Sequence, residues 1–435
     1  MRWLRLYLTL GLLLSLGGSA DAGWLPKWPW GAKDHTPKPE EKPAPIKEEA
    51  PPPISVEKLE KMSKEGNPRA AATLGKMYFD GVGGVKQDDE KAAAYFRQAA
   101  EKGYGLAQFN YGVCFDSGRG VRKDPEQALQ WYIKAADQGV MEAQLNAAVM
   151  LENRKDKEKA LQYFRFAADG GNPMAMRKVA SLYLQEGQPT TNIAEGARYL
   201  QAAAQRGDPR AQVLLADCYQ KGLGVQQNYQ EMLNWLWLAA QDGDPEAQAK
   251  IGYCFAGGVG ITRDTMMAFK WYKSAAEAGY APAQVALGNC YLEGSGTDRN
   301  LKEAFAWHRR AAEQGDSLGE FSLGVAYSLG RGVEEHKAEA VKWYQKAAEK
   351  GYGPAQYNLA ACYEDGTGTT KDAGQAVKWY TEAASHGVVD AFTALGFCHL
   401  EGQGAPQDRA KAREYFQKAA DKGSADARQA LEKNF

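Results

Sequence analysis

Apolar residues along most of the chain recur three and four apart, as at Ala283, Leu287 and Tyr291, with charged and amide side chains between them. That spacing predicts amphipathic helices with one buried stripe. A helix over about Ala281 to Glu293, a glycine-punctuated loop and a second helix over about Leu301 to Gln314 make one predicted hairpin. The same order then repeats. The stretch WYKSAAEAG from Trp271 returns as WYIKAADQG from Trp131, WYQKAAEKG from Trp343 and WYTEAASHG from Trp379. Its last glycine falls at Gly103, Gly139, Gly171, Gly207, Gly243, Gly279, Gly315, Gly351, Gly387 and Gly423, every 36 residues apart from one interval of 32. A fixed period of that length marks a solenoid, in which each unit contacts only its neighbours.

The repeated residue types have physical reasons. Ala311 and Ala312, and their equivalents, are small where two helices approach closely, and Gly315 ends the helix in the left-handed conformation that costs other residues. Trp131, Trp235, Trp271, Trp307, Trp343 and Trp379 are expected to bury aromatic area between neighbouring hairpins. The loops read GRGVRKD from Gly118, GLGVQQN from Gly222, GSGTDRN from Gly294 and GTGTTKD from Gly366. A phosphate-binding G-x-G follows a strand and needs a third glycine opening a helix, whereas here a helix precedes every loop. These glycines are therefore read as tight helix-to-helix turns, with the later Asp or Asn capping the second helix. Two repeats depart from the pattern: Met141 to Gly171 lacks four residues and the G-x-G loop, carrying LENRKDKEKA, and the next carries EGQPTTNIAEG.

The order Leu-Gly-x-x-Tyr, G-x-G-V, Asp, then Ala-x-x-Trp-Tyr-x-Lys-Ala-Ala-x-x-Gly closely resembles the Sel1-like repeat family, a relative of the tetratricopeptide repeats. It is clearest at Leu287-Gly288 with Tyr291 and at Leu323-Gly324 with Tyr327, and it covers about Asn67 to Gly423. The resemblance implies an all-α fold, a right-handed α/α superhelical solenoid of about ten helix-turn-helix repeats. It further implies an adaptor for other proteins, often in bacterial envelopes, and no reaction. In tetratricopeptide arrays the first helix of each hairpin lines the concave face. Transferred through Leu-Gly-x-x-Tyr, that register points to the residues two before and two after the Leu. These are Phe109 with Val113, Val213 with Asp217, Ala249 with Tyr253, Val285 with Asn289, Phe321 with Val325, Tyr357 with Ala361, and Thr393 with Phe397. An apolar, aromatic row of this kind suits capture of a protein or peptide partner. Trp237, in the place of Lys273 on an outward face, is a candidate for a second contact.

Charge narrows the partner class. With 53 Lys and Arg against 54 Asp and Glu, scattered along the chain, the basic footprint of a nucleic-acid binder is missing. Residues 1–22 combine Arg2 and Arg5, an apolar run from Leu6 to Leu16 and Ala20-Asp21-Ala22, which reads as a signal peptide cleaved before Gly23, the alternative being an uncleaved N-terminal anchor. No cysteine lies near that cut to carry a lipid, and no later stretch is apolar enough to span a bilayer. The mature protein is thus expected to be exported, periplasmic or secreted. Residues 23–53 are rich in Pro, Lys and Glu and read as a disordered linker, with Trp24, Trp28 and Trp30 as packing residues or a docking motif. A capping helix over 54–66, ten repeats over 67–423 and a second capping helix over 424–435 complete the domain plan.

Candidate chemistry is sparse. Cys114, Cys218, Cys254, Cys290, Cys362 and Cys398 all lie 25 residues before a repeat's terminal glycine, so they are one structural position used six times. Stacked equivalents sit roughly 8–10 Å apart, beyond the about 7 Å a disulfide spans. Free, buried thiols are expected. Metal ligation has no C-x-x-C, and the adjacent Cys398 and His399 point to different helix faces. His399 and His308 stand in the slots of Tyr291 and Tyr272 and read as structural. Ser55 to Lys58 matches S-x-x-K, but S-D-N and K-T-G are absent and a serine there reads as a helix cap. No catalytic, cofactor or metal residue is assigned, and the favoured reading is a non-enzymatic scaffold. The alternatives are an envelope hydrolase or ligand binder acting on cell-wall or β-lactam compounds, and a glycan-binding envelope protein using Trp237 and the Trp24 to Trp30 segment.

Overall fold

The computed structural model describes residues 55–185 and 192–435. The expected signal peptide over 1–22 and linker over 23–53 lie outside the described residues. The described residues form 22 helices, numbered in chain order, and no strand. They divide into two compact units, one ending at Phe166 and the other running from Ala167 to Phe435. Within each, helices pair as antiparallel hairpins, and each hairpin packs on the next. The first unit opens on α1 (Val56–Lys64), where Ser55 Oγ caps the helix by accepting from the Lys58 N–H. The second closes on α22 (Ala425–Asn434).

One hairpin shows how the repeat works. Its first helix is α14 (Ala281–Glu293) and its second α15 (Leu301–Glu313). Gly294 ends α14 at φ 76°, donating to the Cys290 carbonyl at 2.9 Å. Asn300 opens α15, its Oδ1 accepting from the Lys302 and Glu303 N–H groups at 3.2 Å each. The loop glycine between them has another task. Gly296, at φ 73°, lies so close to the first residue of the preceding second helix, α13 (Thr265–Glu277), that a Cβ would sit 2.0 Å from the Thr265 carbonyl oxygen. The second glycine of the loop is thus a joint between repeats as well as a turn.

Inside the hairpin, Gly288 leaves room for the His308 ring, as Gly112 does for Tyr132 and Gly396 for Phe416. Ala311, Ala312 and Trp307 are buried beside them, while the five other seam tryptophans are half-buried. An amide stitches successive repeats. Gln284 Nε2 donates to the Ala276 carbonyl at 3.2 Å, near the C-terminus of α13, where the last helical carbonyls lack intrahelical partners. Its Oε1 accepts from Gln314 at 2.8 Å. Gln108, Gln144, Gln212, Gln248 and Gln356 make the same carbonyl bond in their repeats. Glu320 replaces the amide once, and Lys350, in the slot of Gln314, meets it at 2.6 Å.

The shortened repeat joins α6 (Met141–Asn153) to α7 (Lys157–Asp169) without glycine. Lys155 takes the left-handed turn conformation, φ 64°, alone among non-glycine described residues. Arg154 makes two bonds to Glu126, at 2.9 and 2.8 Å, in the first turn of α5 (Pro125–Ala136). That is the part of the preceding second helix which Gly296 touches in its own repeat, so an ion pair replaces a backbone contact. Lys155→Gly should therefore raise stability by about 1 kcal/mol, since a side chain at positive φ costs roughly that much; urea unfolding of the two chains measures it.

Candidate functional site

The first helices of the second unit include α10 (Pro209–Lys221), α12 (Pro245–Gly257), α14, α16 (Ser317–Leu329), α18 (Gly353–Asp365) and α20 (Val389–Glu401). Residues at intervals of four, three and four share one helix face. On α10 that stripe is Arg210, Leu214, Asp217 and Lys221, and on α20 it is Asp390, Ala394, Phe397 and Glu401. Along it the large side chains Leu214, Tyr253 and Leu329 stay exposed, by 38%, 45% and 37%. Met174 belongs to the same position set in the second unit, and Leu106 and Val149 in the first; all three are exposed.

The two positions expected to line a groove behave differently. Those two before the Leu turn inward, toward their own hairpin partner or the repeat that follows. Val213, Val285, Phe321 and Thr393 are buried, Phe321 lies 6.0 Å from the Tyr344 ring and Tyr357 5.4 Å from Tyr380. Ala249 is half-buried, as is Phe109, 5.7 Å from Tyr132 in the first unit. The positions two after the Leu belong to the open stripe. Val113, Asp217, Asn289, Val325 and Phe397 are half-buried, Tyr253 exposed and Ala361 buried. Leu106, Met174, Leu214 and Leu329 were not among the expected residues. Their signal was the four-three-four spacing through the position after the Leu, which widens the row along each helix.

Two polar groups on this face have close partners. Lys250 Nζ holds both oxygens of Asp217, at 2.5 and 2.7 Å, linking α12 to α10. Asn289 Oδ1 is 3.0 Å from His308 Nε2. Burial pushes the His308 imidazole down to about 4, a hydrogen bond to the Val285 backbone acting more weakly the other way. Trp237 lies elsewhere, on the second helix α11 (Tyr229–Gln241), packed edge-on at 5.0 Å against Trp271 and 6.5 Å from Phe255.

The family model described as Sel1 repeat matches ten consecutive segments, from residues 68–104 to 390–424. The chain belongs to the Sel1 repeat family. Among solved structures it is similar to a protective antigen of uropathogenic Escherichia coli displaying an SLR fold, at 30% identity and TM-score 0.53 over 88% of this chain and 91% of that one. It is likewise similar to a Sel1 repeat protein from Oxalobacter formigenes, at 30% identity and TM-score 0.56 over 70% of this chain and 90% of that one. No curated protein matches it significantly. Sel1 repeat proteins commonly mediate protein–protein interactions.

The reactive residue types of this Sel1 repeat chain are built into its frame. All six cysteines are free and buried, and burial raises their thiols, to about 11 at Cys114, Cys218, Cys254, Cys290 and Cys362 and about 12 at Cys398. A thiol is nucleophilic as thiolate, so the folded protein should give almost no reaction with a disulfide reagent at neutral pH and all six thiols in denaturant; rapid titration of the native fold would refute this. His399 stacks on Tyr415 at 5.6 Å. Among the described residues no group of three or more His, Cys, Asp or Glu could hold a metal, and no helix is long and apolar enough to cross a membrane.

Proposed function

We propose that this Sel1 repeat chain is an exported, non-enzymatic scaffold that binds a protein or peptide partner along the open stripe of its first helices. The carrying observation is that Leu214, Tyr253 and Leu329 stay exposed on successive or near-successive first helices of one compact unit. Repetition of large apolar side chains on one face supports a docking surface, where single exposed ones would mean little. Asp217, Asn289, Val325 and Phe397 share that face in the same unit, with Val113 its counterpart in the first. Phe109, Phe321 and Tyr357 support the face from beneath through the rings they pack on. Export rests on residues 1–22 and is checked by sequencing the mature N-terminus, expected at Gly23. The docking claim is checked by a photo-crosslinking residue at Tyr253 and, separately, at Arg309 on the second-helix side. The reading expects a discrete adduct from position 253 in envelope extract, none from 309, and loss of the adduct on Leu214→Ser with melting unchanged. Equal yields from the two positions would sink it.

A further inference from the structure

The first helices of the last four repeats carry no permanent cation, His399 on α20 being their one histidine. α14, α16, α18 and α20 carry Glu293, Glu320, Glu364, Asp365, Asp390 and Glu401 and no lysine or arginine. Their second helices carry both signs. These are α15, α17 (Lys337–Glu349), α19 (Ala373–Ser385) and α21 (Arg409–Asp421), and basic residues range from Lys378 alone on α19 to Arg409, Lys411, Arg413 and Lys418 on α21.

Two of the six acids are internal fittings: Glu320 is buried against Lys350, and Glu364 accepts the Tyr380 hydroxyl at 2.7 Å. The other four lie on the open stripe. Glu293, Asp365 and Glu401 close it on α14, α18 and α20, all exposed, and Asp390 begins it on α20. None of the four is in an ion pair among the described residues. Asp390 is raised from its ordinary value by loss of hydration and then by the neighbouring charge of Asp426. Between the carboxylates lie Val325, Leu329 and Phe397, with the amides of Asn289 and Asn358.

We propose that the stripe over α14 to α20 binds a basic polypeptide segment of another protein, its Lys or Arg side chains meeting Glu293, Asp365, Asp390 and Glu401 and its apolar side chains meeting Val325, Leu329 and Phe397. This rests on the scaffold reading above and names the chemistry of the partner. Opposed charges give such a surface its selectivity and register, and the apolar positions between them supply contact area. A second copy is a weaker counterpart, because many of its second-helix basic side chains, though not Lys302, Lys411 or Arg413, are already engaged on their own helices. Arg309 pairs with Glu313 at 2.7 Å, Lys342 with Glu339 at 2.5 Å and Lys418 with Glu414 at 2.6 Å, while Arg310 and Lys346 lie over Trp307 and Trp343. Residues 23–53 are also poorly matched, since their lysines alternate with as many acids.

The probe is a labelled peptide of repeated Lys-Ala-Leu-Ala units, with a Glu-Ala-Leu-Ala peptide as its opposite, titrated into the full chain by fluorescence anisotropy. The basic peptide should bind, the acidic one should not, and affinity should fall as salt rises. Glu293→Gln, Asp365→Asn and Glu401→Gln together should weaken binding about tenfold, three exposed pairs being worth roughly that. The second-helix set Glu313→Gln, Glu349→Gln and Glu382→Gln should leave it unchanged. Equal binding of the two peptides, or equal loss in both sets, overturns the proposal. If Leu329→Ser abolishes binding while the carboxylate set does not, the charge inference fails and the scaffold reading stands. If none of these substitutions alters peptide binding, both fail. Competition by a peptide of residues 23–53, or a dimer in sedimentation that the carboxylate set dissolves, would replace the outside partner and overturn the proposal too.

Discussion

Gly296→Ala should cost about 3 kcal/mol or more and open the array between the hairpins ending at Gly279 and Gly315. Two terms add. A side chain at φ 73° pays about 1–2 kcal/mol for the left-handed conformation. The new Cβ would also stand 2.0 Å from the Thr265 carbonyl oxygen, a backbone atom at the start of α13 that cannot swing aside, and forced overpacking of this kind costs about 1–3 kcal/mol. Gly279 isolates the first term: it sits at φ 90° with nothing within 4 Å of its Cβ position, so Gly279→Ala should lose only the conformational cost. The difference between the two variants is the value of the joint. Urea unfolding gives the totals, and amide exchange on α13 and α15 shows whether the opening is local, as expected where each repeat touches only its neighbours. Equal losses for the two alanines would mean that Gly296 is a turn residue and nothing more.

That contrast marks the limit of what was legible beforehand. The turn at Gly294 and the cap at Asn300 follow from short-range rules, because a helix must end and its first N–H groups need an acceptor within a few residues. Both could be read directly. The contact of Gly296 with Thr265 spans two hairpins, and no local pattern distinguishes a glycine that turns from one that lets a neighbouring backbone approach. Gln284 is similar. Its sequence position is ordinary, and its role as the donor that stitches α14 to the Ala276 carbonyl appears only once α13 and α14 are packed. The candidate surface was half legible for the same reason. Register transferred through Leu-Gly-x-x-Tyr led to the first helices and, in Asp217, Tyr253, Asn289, Val325 and Phe397, to positions that are left half-buried or exposed on their open stripe. It also drew in Val213, Val285 and Phe321, which are buried, because a helix face read alone does not show on which side its partner will lie. Leu214 and Leu329 escaped since they fall one position before, and six after, the repeated Leu.

The fold-stabilising histidine gives the clearest pH signature. His308 fills a slot that Tyr132, Tyr272 and Tyr344 fill elsewhere, 3% exposed and 3.0 Å from Asn289. Its folded value is about 4 against 6.5 for a free imidazole. Above pH 6.5 the ring is neutral whether the chain is folded or not, and the native state keeps its full stability. As pH falls from 6.5 toward 4, the unfolded chain binds a proton that the folded chain refuses, so stability drops by about 1.4 kcal/mol per unit, to a total near ~3 kcal/mol, and levels off below 4. His308→Phe should abolish that slope. The change is sterically tolerable, because Phe416 occupies the same slot against Gly396, and Asn289 is half-buried and keeps access to water. Exchange protection of the α14 and α15 amides between pH 7 and 4 is the readout, since acid titration of other carboxylates affects both chains alike and cancels in the difference. A wild-type chain and a His308→Phe chain that lose protection in parallel would show that the folded imidazole takes up its proton as readily as the unfolded one, with Asn289 Oδ1 accepting from it.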